Sequence, residues 1–307
     1  MGVGVGVGFG FRGCGLVKFG IMFANTGTYG TAEGIRALAP AAEDAGFDSF
    51  WTVEHVVVPQ GYESAYPYDP SGRMPGPEDS PIPDPVVWLS YLAALTTTAK
   101  LATGILILPQ RNPLVLAKEC ATLDQLSGGR LVLGVGAGWL AEEFTALGVP
   151  FAERGKRLDD HIGALRAAWG DQPASYAGPF TQFADVYVRP QPVAGTVPIV
   201  IGGHSDAAAR RAGRLGDGFF PGGRTNDELA ALIATMRTAA VDAGRDPSAI
   251  EVTTTGMAAF APDPVDALRR LEDLGVSRIV IPPLTYDPTA IAPTLATFAE
   301  TVIAKFN

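Results

Sequence analysis

The run Trp51-Thr52-Val53-Glu54-His55 sets a carboxylate and an imidazole side by side at the end of a continuously apolar stretch. An imidazole changes charge near neutral pH, so such a pair at the rim of a site suits acid–base work. The plainer alternative is a surface histidine after a strand. The chain has only three His, and this one falls at a strand end, which makes Glu54 and His55 the candidate catalytic residues.

Four glycine-bearing segments are candidates for holding a cofactor. Thr103-Gly104-Ile105 puts a glycine inside an apolar run, either as a close approach to a ligand or as a kink that closes the fold. In Gly134-Val135-Gly136-Ala137-Gly138-Trp139, the glycines, Gly136 and Gly138 above all, let backbone lie flat against a planar or phosphorylated ligand beside Trp139. Gly202-Gly203-His204-Ser205 leads into a helical stretch, and free N–H groups at a helix start attract anions. Ser205 could equally cap that helix, and the two roles are compatible. Gly203 to Ala207 also approaches a nucleophile elbow but ends in Ala where that motif has Gly, so a serine hydrolase is a remote reading. Gly222 and Gly223 could complete the cradle, with Arg224 pairing to a phosphate; an ordinary loop is the alternative.

Several chemistries are excluded. The chain has no His-x-His pair and no Cys/His cluster, so no metal site is expected. None of Lys18, Lys100, Lys118, Lys156 and Lys305 falls at the C-terminal end of a strand, which removes the Schiff-base nucleophile. A bound redox cofactor fits better, because the cofactor brings the reactivity and the protein orients it. A formal net charge of -9 argues against a nucleic-acid partner. Apolar runs break before the ~18 residues a membrane helix needs, and Cys14 and Cys120 form no disulfide framework, so a reduced, cytoplasmic protein is expected.

The elements that must position these residues alternate. Continuous apolar runs at Phe19–Ala24, Ser49–Val53, Leu101–Leu108, Leu131–Val135, Pro198–Ile201, Gly218–Phe220, Val252–Phe260 and Arg278–Ile281 read as buried parallel strands. Helical stretches at Ala32–Ala45, Pro85–Thr97, Pro113–Leu126, Leu158–Trp169, Asp206–Leu215, Asp227–Ala243, Pro264–Leu274 and Pro288–Ile303 separate them. Eight such units predict a single α/β domain over 17–307, a (β/α)8 TIM barrel, with long loops after strands 2 and 4. The first loop, Pro59 to Asp84, carries Tyr62, Tyr66, Tyr68 and Arg73, which either line a substrate pocket or pack the loop on itself. Residues 1–16, where Gly alternates with Val or Phe, read as a disordered tail or an over-called start, with translation beginning near Val17.

The chain from Val17 to Phe306 resembles the luciferase-like monooxygenase superfamily, in particular its F420-dependent oxidoreductase branch. The resemblance rests on Phe50 to Pro59, Leu108 to Pro113, Leu126 to Trp139, Gly148 to Gly155 and Pro198 to Gly203 taken together. It implies a deazaflavin, F420, or alternatively FMN, held at the C-terminal mouth of the barrel. It further implies a non-prolyl cis peptide or bulge at Gly104 and a neighbour, a phosphate at Gly202–Gly203, and His55 over the ring as proton donor or acceptor. Glu54 stands where many relatives carry Asp. The turn Ala137-Gly138-Trp139 lacks the acid of sugar-phosphate dehydrogenases, so sugar-phosphate oxidation is disfavoured. The expected partners are a small-molecule substrate and a second copy of the chain in a homodimer. A non-catalytic flavin-binding protein is the reading from a different class.

Overall fold

The continuously apolar runs become the staves of a closed barrel because a parallel strand covered on both faces has no wet side to keep polar. The computed structural model describes residues 17–222 and 225–306. In chain order its strands are β1 (Lys18–Met22), β2 (Ser49–Thr52), β3 (Lys100–Thr103), β4 (Leu106–Ile107), β5 (Leu131–Gly136), β6 (Ala174–Ala177), β7 (Gln182–Val186), β8 (Ile199–Gly202), β9 (Gly218–Phe220), β10 (Glu251–Thr255) and β11 (Arg278–Ile281). All but β6 and β7 pair in parallel. The ring closes where β1 meets both β2 and β11, with Ile21 opposite Ile281, and where β5 meets β3 and β8. The pair β3 and β4 forms one stave, interrupted at Gly104–Ile105, whose peptide is cis.

The main helices are α1 (Ala32–Asp44), α2 (Pro85–Ala93), α3 (Pro113–Ser127), α4 (Ala141–Ala146), α5 (Arg154–Trp169), α6 (Asp206–Leu215), α7 (Asn226–Asp242), α8 (Pro264–Asp273) and α9 (Ile291–Phe298). Several starts follow directly from capping chemistry. Asp84 accepts from the Val86 and Val87 N–H groups, Asn112 from Leu114 and Val115, and Thr225 forms a reciprocal capping box with Glu228. Trp51, Ala102, Val132, Val200, Phe220 and Val280 fill the barrel interior. At the opposite end from the candidate site, the buried Arg278 guanidinium bridges Asp48 and Glu251 at 3.0 Å each.

Three expected elements change. The third stave is two short strands, not one run over Leu101–Leu108. The run Val252–Phe260 is a strand only to Thr255; beyond Gly256 the chain turns, leaving Met257 and Phe260 largely exposed. The last helix is α9 followed by a π-helical turn, Ala299–Ile303. The excursion after β5 carries α4, α5 and the antiparallel hairpin β6–β7. Met1 to Leu16, with Cys14, lie outside the described residues, as do Gly223 and Arg224. Among the described residues no helix is long and apolar enough to cross a membrane.

One surface-side carboxylate ties helix to barrel. Glu43, near the end of α1, accepts the N–H groups of Thr97 (2.9 Å), Thr98 (2.7 Å) and Ala99 (2.7 Å), which lead into β3. Burial alone would raise its carboxyl, but these amides outweigh that and hold it below the usual carboxylate range. A carboxyl depressed in the folded state contributes stability above its unfolded pKa and loses it as pH falls through the folded value. Glu43→Gln is therefore expected to cost about 1 kcal/mol at neutral pH, with the gap closing in acid. Urea melts of both proteins across pH check this; a gap independent of pH would refute it.

Candidate active site

At the top of β2 the chain runs on extended, and the Asn25 side chain bonds both polar groups of the Val53 backbone at 2.9 Å each. Successive side chains of an extended segment point to opposite sides, so Glu54 and His55 do not pair with each other. The carboxylate held against His55 is Glu143, on α4: its Oε2 lies 3.0 Å from His55 Nδ1. Its Oε1 accepts the N–H groups of Val56 (2.7 Å) and Val57 (3.3 Å). Both side chains are buried, 8% and 2% exposed, which excludes water from the pair. With Glu143 accepting at Nδ1, the imidazole presents Nε2 for proton exchange. The edge of the Trp139 indole packs on His55, ring centres 5.6 Å apart.

Glu54 faces the other way, where both its oxygens are engaged. Oε2 accepts the Ile107 N–H at 2.5 Å, and Oε1 accepts Arg111 Nε at 3.0 Å and Arg111 Nη2. Arg111 also donates to Asp84 at 2.7 Å, so one guanidinium joins the end of β2, the cap of α2 and the segment before α3. Burial pushes the Glu54 carboxyl up, while Arg111 and the Ile107 amide pull against it. Burial likewise works against the Arg111 charge, but Glu54 and Asp84 outweigh it and hold Arg111 above its ordinary value. Glu54 thus braces the strand end and the β4 backbone, while the His55 imidazole faces the aromatic side against Trp139.

The glycines divide by what fills the space beside them. A β-carbon on Gly136 or Gly202 would collide with the Ile105 side chain, which lies between β5 and β8. Gly104 sits between Trp51 and Phe220, which would approach an added β-carbon to 3.0 and 3.3 Å. Thr103 is turned inward, its hydroxyl donating to the Gly134 carbonyl at 2.6 Å. Gly138 holds φ +83°, a region that favours glycine, with Phe144 and Ile107 against it. Thr103, Gly136 and Gly202 are buried in this packing, while Gly104, Ile105 and Gly138 keep part of their surface exposed.

Across the mouth, β8 ends at Gly202 and passes through Gly203 (φ +135°) and His204 into α6. Ser205 caps that helix, its Oγ accepting the Ala208 N–H at 3.3 Å. The cap satisfies one first-turn amide and leaves the helix's positive end facing the cradle. The loop from Pro59 to Asp84 arches over this region. Tyr62 and Tyr66 pack edge-on against Trp139 (5.5 and 5.2 Å), Tyr66 meets Tyr68, and Tyr68 meets His204 at 5.0 Å. The Tyr68 ring also lies where a β-carbon on Gly222 would go. Glu142 fastens the loop by accepting the Glu63 and Ser64 N–H groups at 2.8 and 3.0 Å. The tyrosines pack on one another, on Trp139 and on His204, in a row that runs from His55 to the Gly203–His204 turn. The third histidine, His161, is buried with Nδ1 3.2 Å from the Leu108 carbonyl oxygen, and burial pushes its pKa down.

The free amides in the first turn of α6 suit a phosphate at the Gly203–Ser205 turn, and Gly104, Ile105, Gly138 and Trp139 are each partly exposed. Glu143, Arg111 and Asn25 are the site residues that sequence reasoning did not select. Glu143 lies on α4, beyond the Ala137-Gly138-Trp139 turn and 88 residues from His55, with no local signal that links the two.

The His55–Glu143 pair and the Gly202–Ser205 turn thus lie at the C-terminal rim of a closed parallel barrel, the end at which barrel enzymes carry their sites. The chain belongs to the luciferase-like monooxygenase family, whose model matches residues 17–278. Members of this family are oxidoreductases or monooxygenases that depend on F420 or flavin. An uncharacterized protein of Mycobacterium tuberculosis is 36% identical over 277 residues, 87% of this chain and 94% of that one. The F420-dependent glucose-6-phosphate dehydrogenase of Kineococcus radiotolerans is 31% identical over 238 residues, 75% of this chain and 65% of that protein. The FMNH(2)-dependent dimethylsulfone monooxygenase of Pseudomonas putida is 35% identical over 157 residues, 50% of this chain and 43% of that one. Among solved structures, monooxygenase RslO1 from Streptomyces bottropensis shares the fold, with TM-score 0.75 and 23% identity over 94% of this chain and 100% of that one.

Proposed function

We propose that this protein is an F420-dependent oxidoreductase that transfers a hydride between the deazaflavin and a small organic substrate at the mouth of the barrel. The observation that carries the reading is the buried His55–Glu143 pair beside the open Gly104–Ile105 segment. Hydride transfer to or from a carbonyl or imine needs a proton delivered or removed at the heteroatom, and His55 Nε2 is the group available for it. Glu143 fixes the ring's orientation, Trp139 shields it, and the tyrosine row restricts water. The coenzyme itself, when bound, supplies the hydride chemistry, with Gly202 to Ser205 holding its phosphate. The F420-dependent relative, aligned over three quarters of this chain, supports the choice of coenzyme. The second reading, an FMN-dependent monooxygenase using reduced flavin and O2, is favoured by the dimethylsulfone monooxygenase relative.

Parallel fluorescence titrations with F420 and with FMN separate the two. Tight F420 binding with weak FMN binding is expected, followed by a screen of carbonyl and imine compounds as hydride acceptors. The reverse order moves the assignment to the monooxygenase, and binding of neither overturns both.

A further inference from the structure

From Pro59 to Asp84 the chain forms no helix or strand. Loops of that length without secondary structure are uncommon and usually serve as lids or binding loops. This one and the first turn of α4 cap each other. The helix is six residues long, well below the about 12–15 at which an isolated helix is even marginal in water. Its N-cap residue, Leu140, has no side-chain group to accept a first-turn amide. Ser64 of the loop does so in its place, its Oγ accepting the Ala141 N–H at 3.1 Å. In return Glu142 Oε1 accepts the Glu63 and Ser64 N–H groups. The next residue is Glu143, the carboxylate on His55. One helical turn therefore carries both the catch of the loop and the group that orients the imidazole. A second line of contact runs from Tyr62 and Tyr66 through Trp139 to His55.

We propose that this loop is a lid whose docking sets the acid–base pair, with Ser64 and Glu142 as positioning residues that hold the α4 turn and, through it, Glu143 on His55. The inference rests on the oxidoreductase reading for the pair's part in a reaction, but the coupling it describes does not. An undocked loop withdraws the Ser64 hydroxyl from Ala141 and releases Glu142. So short a helix has few other bonds at its start, and the turn frays. Glu143 then loses its fixed place, and the imidazole takes either tautomer. Proton exchange is thus set up when the site is closed to water and lapses when it is open.

Arg73 supplies the reporter. It is exposed, and it is the one Lys or Arg between Pro59 and Asp84. Its peptide bond to Met74 is nonetheless tied down: Arg73 Nη1 donates to the Tyr62 carbonyl at 2.6 Å, and the Met74 N–H donates to the Tyr62 hydroxyl at 2.9 Å. Trypsin cuts there only when the loop leaves this arrangement. The test uses the full chain without coenzyme. Ser64→Ala is expected to speed cleavage at Arg73–Met74 about fivefold, the usual weight of a lost helix cap. Glu142→Ala is expected to speed it more, with the rest of the chain cut as in the wild type. In nitrogen NMR of the imidazoles, both variants are expected to replace a single His55 tautomer, protonated at Nδ1, with a mixture of the two. Ser64→Thr, which keeps the hydroxyl, retains the wild-type cleavage rate and tautomer. Wild-type cleavage in both variants overturns the proposal, and so does faster cleavage with the tautomer unmoved, the mark of a staple that serves stability alone. Because coenzyme is absent, failed F420 and FMN titrations would remove the oxidoreductase reading and leave the coupling. Coenzyme binding with an unmoved tautomer would do the reverse.

Discussion

His55→Ala lowers turnover by about 10²–10⁴-fold, the usual contribution of a positioned acid–base group, and leaves coenzyme affinity within a few-fold of the wild type. The expectation follows from the geometry: the imidazole is buried, its Nδ1 is taken by Glu143, and Nε2 is the one ring position left for a substrate. Glu143→Gln keeps a hydrogen-bonding group at Nδ1 but can present an amide N–H there, which favours the tautomer with Nδ1 as acceptor. A loss of at least tenfold in kcat, with KM little changed, is the expected signature of an imidazole held in the wrong protonation pattern. Steady-state kinetics on the acceptor found with the bound coenzyme measure both variants. Wild-type turnover by His55→Ala would remove His55 from the mechanism.

Arg111→Met destabilises the fold by about 3–5 kcal/mol, because it leaves the Glu54 carboxylate buried without its counter-charge. Glu54 is 6% exposed, so water cannot take over from the guanidinium. The variant carries a pH signature. Burial already pushes the Glu54 carboxyl up, and loss of Arg111 leaves that push opposed only by the Ile107 amide. A carboxyl raised in the folded state contributes fully in acid, below its unfolded pKa, and loses that contribution as pH rises through the folded value. The deficit of Arg111→Met therefore widens from acidic to neutral pH, and adding Glu54→Leu recovers most of it. Urea unfolding at several pH values tests this. A single variant within about 1 kcal/mol of the wild type at neutral pH would show that Arg111 is not the brace.

Much of this site was legible before folding was considered. The Trp51-Thr52-Val53-Glu54-His55 run marked the rim of the second stave, and the Gly202-Gly203-His204-Ser205 turn marked the start of α6. Both are local signals, carried by an apolar run that ends or by a capping residue at a helix start. The acid–base partner was not legible. Adjacency in the chain suggested Glu54, yet in extended backbone neighbouring side chains diverge, and the carboxylate that reaches His55 arrives from α4. The role of the glycines was equally hidden. Gly136 and Gly202 stand clear for Ile105, a contact between staves that no spacing along one segment reveals.

The eight-unit barrel and the segments that could carry chemistry were thus determined by the sequence alone, because strand length, helix periodicity and caps act over a few residues at a time. Only the tertiary structure decided which side chains meet. It set Glu143 on His55, Arg111 between Glu54 and Asp84, and Tyr68 over Gly222. Those encounters depend on barrel closure, which brings loops tens of residues apart onto one rim, and closure is a property of the whole ring of strands rather than of any segment in it.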